Sequence, residues 1–302
     1  DHRGAAGGGW GARHIRGAAG PWGLGAGVGG RTGGGEVAHG IREGRRRGGR
    51  GVRSWPHARC SATTMALPPA VSPLPQAGAV PGIGVGTWAW GNRFLWGYDP
   101  AQDGELRACF QRAVALGLRV FDTADSYGTG RLQGRSEALL GSFCAELPEP
   151  ERAAVCLATK LAPFPWRLGR RGYDRAFRDA RSRLQGKLDL VQLHWSTARY
   201  APWQELPLLD GLADLVLRGE VAALGVSNMG PRRLRQLQAH LAERGVPLRS
   251  LQVQLSLLAP DPLQPGGVAE TCRELGIALI AYSPLALGLL GRAPGAAPPA
   301  QD

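Results

Sequence analysis

Cysteine is sparse in this chain: Cys60, Cys109, Cys144, Cys156 and Cys272 lie far apart and form no C-x-x-C pair. This excludes a disulfide framework, gives no zinc-ligand pattern, and suits a reducing compartment. Long hydrophobic runs are also missing. The longest, "GIALIAYSPLALGLLG", is shorter than a bilayer-spanning helix and is broken by Pro284, so no membrane insertion is expected. Acidic residues are short in one region only. Residues 1–64 hold Asp1, Glu36 and Glu43 against 11 arginines, which gives them +8 of the formal +12. The remaining +4 is too small to argue for a nucleic-acid partner.

That acid-poor region holds 20 of the 46 glycines and few apolar side chains to offset the entropy of ordering them. Residues 1–79 therefore read as a disordered extension, and three roles stay open for it. "GRRRGGRG" resembles an RGG-type RNA-binding tract. An Arg-rich, acid-poor start also reads as a transit peptide into a plastid, with the cytoplasm as the alternative address. The third reading is a gene-model extension, since the chain opens at Asp1 and carries a Met at 65.

From about Gly82 the chain alternates short apolar runs with helical patterns. "GIGVGTW" is the first run, and "GELRACFQRAVALG" follows with Leu106, Phe110, Ala113 and Val114 at amphipathic spacing. "RVFDTA" precedes a helix in "RSEALLGSFCAEL", with Ser136 as its expected N-cap. Further buried strands are expected at 154–160, 189–195, 222–228, 251–258 and 277–285, with helices at 174–186, 205–219, 231–244 and 267–275. Strand–helix alternation with near-continuous apolar strands means a parallel α/β fold covered on both faces.

A doubly wound sheet and a β/α barrel share this rhythm. The glycines of "GIGVGTWAWG" make a poor dinucleotide-binding turn, because the last glycine of the pattern is replaced by Ala89 and no helix start follows. A barrel instead gathers functional groups where its strands end. Asp122, Lys160, His194, Ser227, Asn228, Gln252, Tyr282 and Ser283 all fall at or near such ends.

One acid, one phenol, one ammonium and one imidazole at successive strand ends point to carbonyl reduction by a hydride donor. The alkoxide that forms must be protonated, and a Tyr hydroxyl with an ordinary pKa of about 10 needs a cation beside its phenolate. Tyr127 is the candidate acid, Lys160 the cation, Asp122 the anchor for Lys160, and His194 the group that donates or orients a hydrogen bond to the substrate oxygen.

In order and separation, "GVGTWAWG", "FDTADSYG" with "GRSEALLG", "ATK", "LVQLHW", "LGVSN", "QVQLSLL" and "AYSPL" resemble an aldo-keto reductase of the plant and bacterial branch. The resemblance spans 80–292, leaving 293–302 as a disordered tail. It implies a TIM barrel that binds NADP(H) without a Rossmann fold and reduces a small-molecule aldehyde or ketone. It assigns the tetrad to Asp122, Tyr127, Lys160 and His194, and the carboxamide ligands to Ser227, Asn228 and Gln252. Tyr282 becomes the ring that stacks on nicotinamide, Ser283 and Leu285 contact the pyrophosphate, and Thr87 and Trp88 line the mouth. The family fold also serves as a redox-sensing channel subunit, a reading left open beside that of a truncated, non-functional product. Trp88, Trp90, Trp96, Tyr98 and Trp195 are candidates for an aromatic rim.

Two small departures are Leu251 before Gln252, where Asn is common, and Ser196 in place of Pro. A larger one is the end at "GRAPGAAPPAQD", after the seventh strand. The eighth strand and the basic loop that grips the adenosine 2′-phosphate are not in the sequence, so NADP over NAD follows from the resemblance alone. The expected fold is thus a (β/α)8 barrel with about seven βα units present and two unpaired edges.

Overall fold

A computed structural model describes residues 82–291, which fall in one unit spanning Met65–Asp302. The expected extension over 1–79 and tail over 293–302 lie outside the described residues. Within them the order is β1 (Gly84–Gly86), α1 (Arg93–Trp96), α2 (Asp103–Ala115), β2 (Val120–Asp122), α3 (Arg135–Ala145), α4 (Glu149–Ala154) and β3 (Cys156–Leu161). There follow α5 (Asp174–Arg183), β4 (Leu190–Leu193), α6 (Pro202–Leu217), β5 (Ala223–Ser227), α7 (Pro231–Ala242), β6 (Ser250–Gln254), α8 (Val268–Leu275) and β7 (Ala278–Tyr282).

All seven strands pair in parallel in chain order, β1 through β7. A doubly wound sheet would reverse order at a switch point, so the sheet is of the barrel type. Among the described residues β1 and β7 each pair on one side only. No described helix is long and apolar enough to cross a membrane.

Side chains alternate between the two faces of each strand, which separates two apolar layers. The inner one is small: Cys156, Ala158, Leu190 and Ala223, with Val120 against them. The outer one lies under the helices and is large, including Leu157, Leu161, Val191, Leu193, Leu224, Val226 and Leu251. Leu234, Leu237 and Leu241 of α7 join it at the i, i+3, i+7 spacing of an amphipathic helix. Toward the C-terminal ends of the strands the inward positions turn polar. One rung of the register runs Lys160, Gln192, Gly225, Ser250 across four strands.

Three expectations change. β6 ends at Gln254, four residues short, because 255–258 leave the sheet in a turn closed by the Ser256–Ala259 bridge. The apolar "LSLL" mimics a strand, yet Leu257 is 85% exposed. β7, expected to be buried, is only half-covered, as befits a strand paired on one side. Ser136 is not an N-cap: α3 starts at Arg135 with Gly134 before it. The Ser136 hydroxyl is fully buried, donates to Thr87 O at 2.9 Å and accepts from Thr123 Oγ1 at 2.9 Å. It pins the start of α3 to the ends of β1 and β2.

α3 crosses the end of α5 at Gly141, where a Cβ would lie 2.2 Å from Arg183 O and 2.7 Å from Leu184 Cα. Both obstacles are backbone, so relief requires the helices to part. Gly141→Ala is expected to lower stability by about 1–3 kcal/mol despite its better helix propensity. Denaturant unfolding checks this, and an unchanged or raised midpoint would show that the crossing yields freely.

Candidate active site

Asp122 closes β2, and Lys160 lies on the inward face of β3 one residue before its end. Their side chains form an ion pair, Lys160 Nζ to Asp122 Oδ2. The ammonium also donates to Thr123 O at 2.8 Å, and Gln192 Nε2 donates to Asp122 Oδ1 at 3.0 Å. Lys160 is only 1% exposed. Burial pushes it toward neutrality, but Asp122, Tyr127 and the hydrogen bonds to both outweigh this and leave its pKa above the ordinary value. A permanent cation therefore sits beneath the mouth.

Tyr127 comes from the turn after β2. Its N–H donates to Ala124 O at 3.1 Å, and its carbonyl accepts from Gly134 N at 2.8 Å. Gly128 makes the turn possible: its φ is +107°, and a Cβ there would stand 1.9 Å from Leu132 O. The ring lies with Lys160 Nζ 5.0 Å from its centroid. Burial raises the phenol pKa, the charge of Lys160 lowers it, Asp122 raises it again, and the net shift is upward from 10.0. Lys160 thus stands beside the phenol as expected and lowers its pKa, though by less than burial raises it. Desolvation outweighs the cation, so the phenol keeps its proton at neutral pH.

His194 follows β4, with its ring edge-on to Tyr127 at 5.9 Å and Nδ1 3.4 Å from Ser126 Oγ. Burial first and the charge of Lys160 second drive its pKa well below 6.5. At neutral pH it is an uncharged hydrogen-bonding ring.

Three more strand ends meet at Asn228, which adopts φ +60° directly after β5. Its Nδ2 donates to His194 O at 3.3 Å, and its Oδ1 accepts from the Tyr282 hydroxyl at 3.0 Å. Gln252 O accepts from Asn228 N and Ser227 Oγ, both at 2.9 Å. Asp122, Tyr127, Lys160, His194, Asn228 and Tyr282 are thus brought together. Ser227 and Thr87 are fully buried, Gln252 is 2% exposed, and Leu285 is 57% exposed beyond β7, where Ser283 takes φ +50°. Thr87 is a strut, its hydroxyl donating to Asp122 O at 3.0 Å; its neighbour Trp88, 37% exposed, is the residue at the mouth. Side-chain amides and an aromatic ring beside a buried cation and a neutral imidazole suit a flat, amide-bearing ring such as nicotinamide.

Comparison with known proteins decides the family: the aldo/keto reductase family model matches residues 82–301. The chain belongs to the aldo/keto reductase family. It is 51% identical over 211 residues to a chloroplastic pyridoxal reductase of Arabidopsis thaliana, covering 69% of this chain and 58% of that one. It is 38% identical to an uncharacterized oxidoreductase of Mycobacterium tuberculosis, covering 71% of this chain and 61% of the relative. The chain thus spans about three fifths of the length of these curated relatives. In structure it is similar to an aldo/keto reductase of Klebsiella pneumoniae in complex with NADP and acetate, with TM-score 0.56, 28% identity and coverage of 70% and 67%. It is also similar to a thermostable aldo-keto reductase in complex with the inhibitor epalrestat, with TM-score 0.58, 28% identity and coverage of 72% and 73%.

In this aldo/keto reductase the aromatic rim is narrower than the sequence suggests. Trp90 and Tyr98 are 7% and 4% exposed, and Tyr98 is tied to Asp103 and Arg135. The rim runs instead through Trp96, Trp88, Tyr127, His194 and Trp195, with ring centroids 5.8, 6.5, 5.9 and 4.9 Å apart. Two site residues escape sequence reasoning, Gln192 and Ser126. Gln192 carries a signal, a lone polar residue inside apolar "LVQL"; Ser126 carries none.

The neutral His194 has a consequence for stability. The unfolded chain binds a proton at this residue as pH falls through about 6.5, and the folded chain does so only at much lower pH. Its contribution is present above pH ~6.5 and is lost as pH falls below it. His194→Asn is therefore expected to lose less stability than the parent between pH ~7.5 and ~5.5. Denaturant midpoints at the two pH values measure it; equal losses in both proteins would mean that His194 is already charged in the fold.

Proposed function

We propose that this enzyme reduces an aldehyde or ketone to the alcohol with NADPH, Tyr127 being the proton donor. The observation that carries the reading is the Tyr127 phenol packed on the buried Lys160–Asp122 ion pair with the His194 ring at its edge. Asn228, Gln252 and Tyr282 would hold the nicotinamide end, with Ser227, Ser283, Leu285 and Trp88 along the rest of the cofactor path, while buried Thr87 braces Asp122. When bound, the cofactor supplies the hydride.

The remaining chemistry belongs to the side chains. His194, being neutral, donates a hydrogen bond to the carbonyl oxygen and fixes its direction without giving up a proton. As charge develops on that oxygen, the Tyr127 proton moves to it. The phenolate left behind faces the Lys160 ammonium, whose attraction is strengthened because the ammonium is almost wholly removed from water. Asp122 keeps the ammonium charged and in place throughout, and water returns the proton to Tyr127 after the alcohol leaves.

The pyridoxal reductase relative supports an aromatic aldehyde of the pyridoxal class as substrate, and the rim of Trp88, Trp96 and Trp195 offers flat rings on which to stack one. Its chloroplastic designation, with the acid-poor N-terminal region, supports a plastid address. Tyr127→Phe is expected to lower kcat for pyridoxal by at least about 100-fold while the NADPH dissociation constant, read by tryptophan fluorescence, stays near that of the parent. Retained turnover would refute Tyr127 as the acid.

A further inference from the structure

β4 reads Leu-Val-Gln-Leu, and all four residues are buried. Gln192 is its polar interruption, with no exposed surface. Its Nε2 donates to Asp122 Oδ1 at 3.0 Å, while Lys160 holds the other carboxylate oxygen, Oδ2. A carboxylate only accepts, so Asp122 dictates which end of the amide faces it. The opposite end, Oε1, has no hydrogen-bond partner among the described residues, and neither has Ser250 Oγ. Both residues belong to one rung, on either side of Gly225. A Cβ on Gly225 would stand 2.2 Å from Ser250 Oγ and 3.1 Å from Gln192 Cγ, so the glycine leaves the room that the glutamine occupies.

A buried amide in an apolar strand costs more than an apolar side chain of the same length unless it is hydrogen-bonded, and the side-chain bond that Gln192 makes goes to Asp122. The position therefore serves the carboxylate rather than the core. We propose that Gln192 is a positioning residue, which locks the Asp122 carboxylate in the orientation that aims the Lys160 ammonium at Tyr127. As a neutral donor it does this without adding a second cation that would compete with Lys160.

The inference rests on Tyr127 as the proton donor. The charged and titratable groups that face Tyr127 are Lys160 from β3, Asp122 from β2, Tyr282 from β7 and His194 beyond β4. Without Gln192 the Asp122 charge is less compensated, and the phenolate becomes harder to form.

The test compares Gln192→Met, Gln192→Glu and Tyr127→Phe in the purified enzyme with pyridoxal and NADPH. For Gln192→Met, kcat is expected to fall about tenfold, the low end for loss of an orienting partner at metal sites. The KM for NADPH should hold, and the alkaline limb of the kcat–pH profile should move to higher pH. For Gln192→Glu, a protonated carboxyl donates to Asp122 and an ionised one repels it, so activity should approach the parent's at low pH and fall along a new limb. An ultraviolet titration of the Tyr127 phenol in Gln192→Met gives the same upward displacement without turnover. A Gln192→Met enzyme with the parent's kcat and pH profile overturns the proposal, as does a lower kcat with an unmoved profile, which marks a packing role. If Tyr127→Phe keeps its turnover, the donor assignment has failed instead.

Discussion

A lysine ammonium almost sealed from water is sustained beneath this mouth by a single carboxylate, and the rest of the site is arranged around that pair. Removing Asp122 would leave an uncompensated buried charge, a change that costs about 3–5 kcal/mol where it has been measured. The barrel supplies the partner at no search cost, because parallel register sets Asp122 against Ala158 and puts Lys160 two residues further along the same face. The polar rung that begins at Lys160 exists because the small inner layer of Cys156, Ala158, Leu190 and Ala223 fills the barrel below it.

What surrounds the pair keeps it from drifting. Asp122 is held through its main chain by Thr87, whose N–H and hydroxyl both donate to Asp122 O. Ser136 ties Thr87 and Thr123 to the start of α3, so the helix behind the sheet braces the turn that carries Tyr127. Gly128 lets that turn fold back tightly enough to hang Tyr127 over Lys160. His194 and Tyr282 reach the same space from β4 and β7, joined through Asn228. Seven elements, β1 to β5, β7 and α3, thus converge to fix one phenol, the preorganisation that the proposed proton transfer requires.

Much of this was legible in the sequence, and for one reason. In a parallel barrel a strand that reads apolar and ends polar presents its polar group toward the mouth, so the convergence of Asp122, Lys160, His194 and Asn228 could be expected. Gln192 was equally visible, but a polar residue inside a strand has no role until its partner on another strand is known. Ser136 misled because a serine near a helix start usually caps it, and only the approach of α3 to β1 shows its real use. β6 is shorter than its apolar run because "LSLL" stays apolar after the chain leaves the sheet at Gln254. The direction of the Tyr127 pKa shift was not legible for a deeper reason. Sequence names the nearby charges but not the extent of burial, and here burial outweighs the cation.

The account stands or falls on the electrostatic coupling between Lys160 and Tyr127. Site-specific NMR titration of a labelled Tyr127, in the parent and in Lys160→Met, measures it most directly. The account predicts that the parent phenol ionises above its ordinary value of 10.0, and that it ionises higher still when the ammonium is gone. A Tyr127 that ionises at or below the ordinary value, or that does not respond to the loss of Lys160, would contradict it.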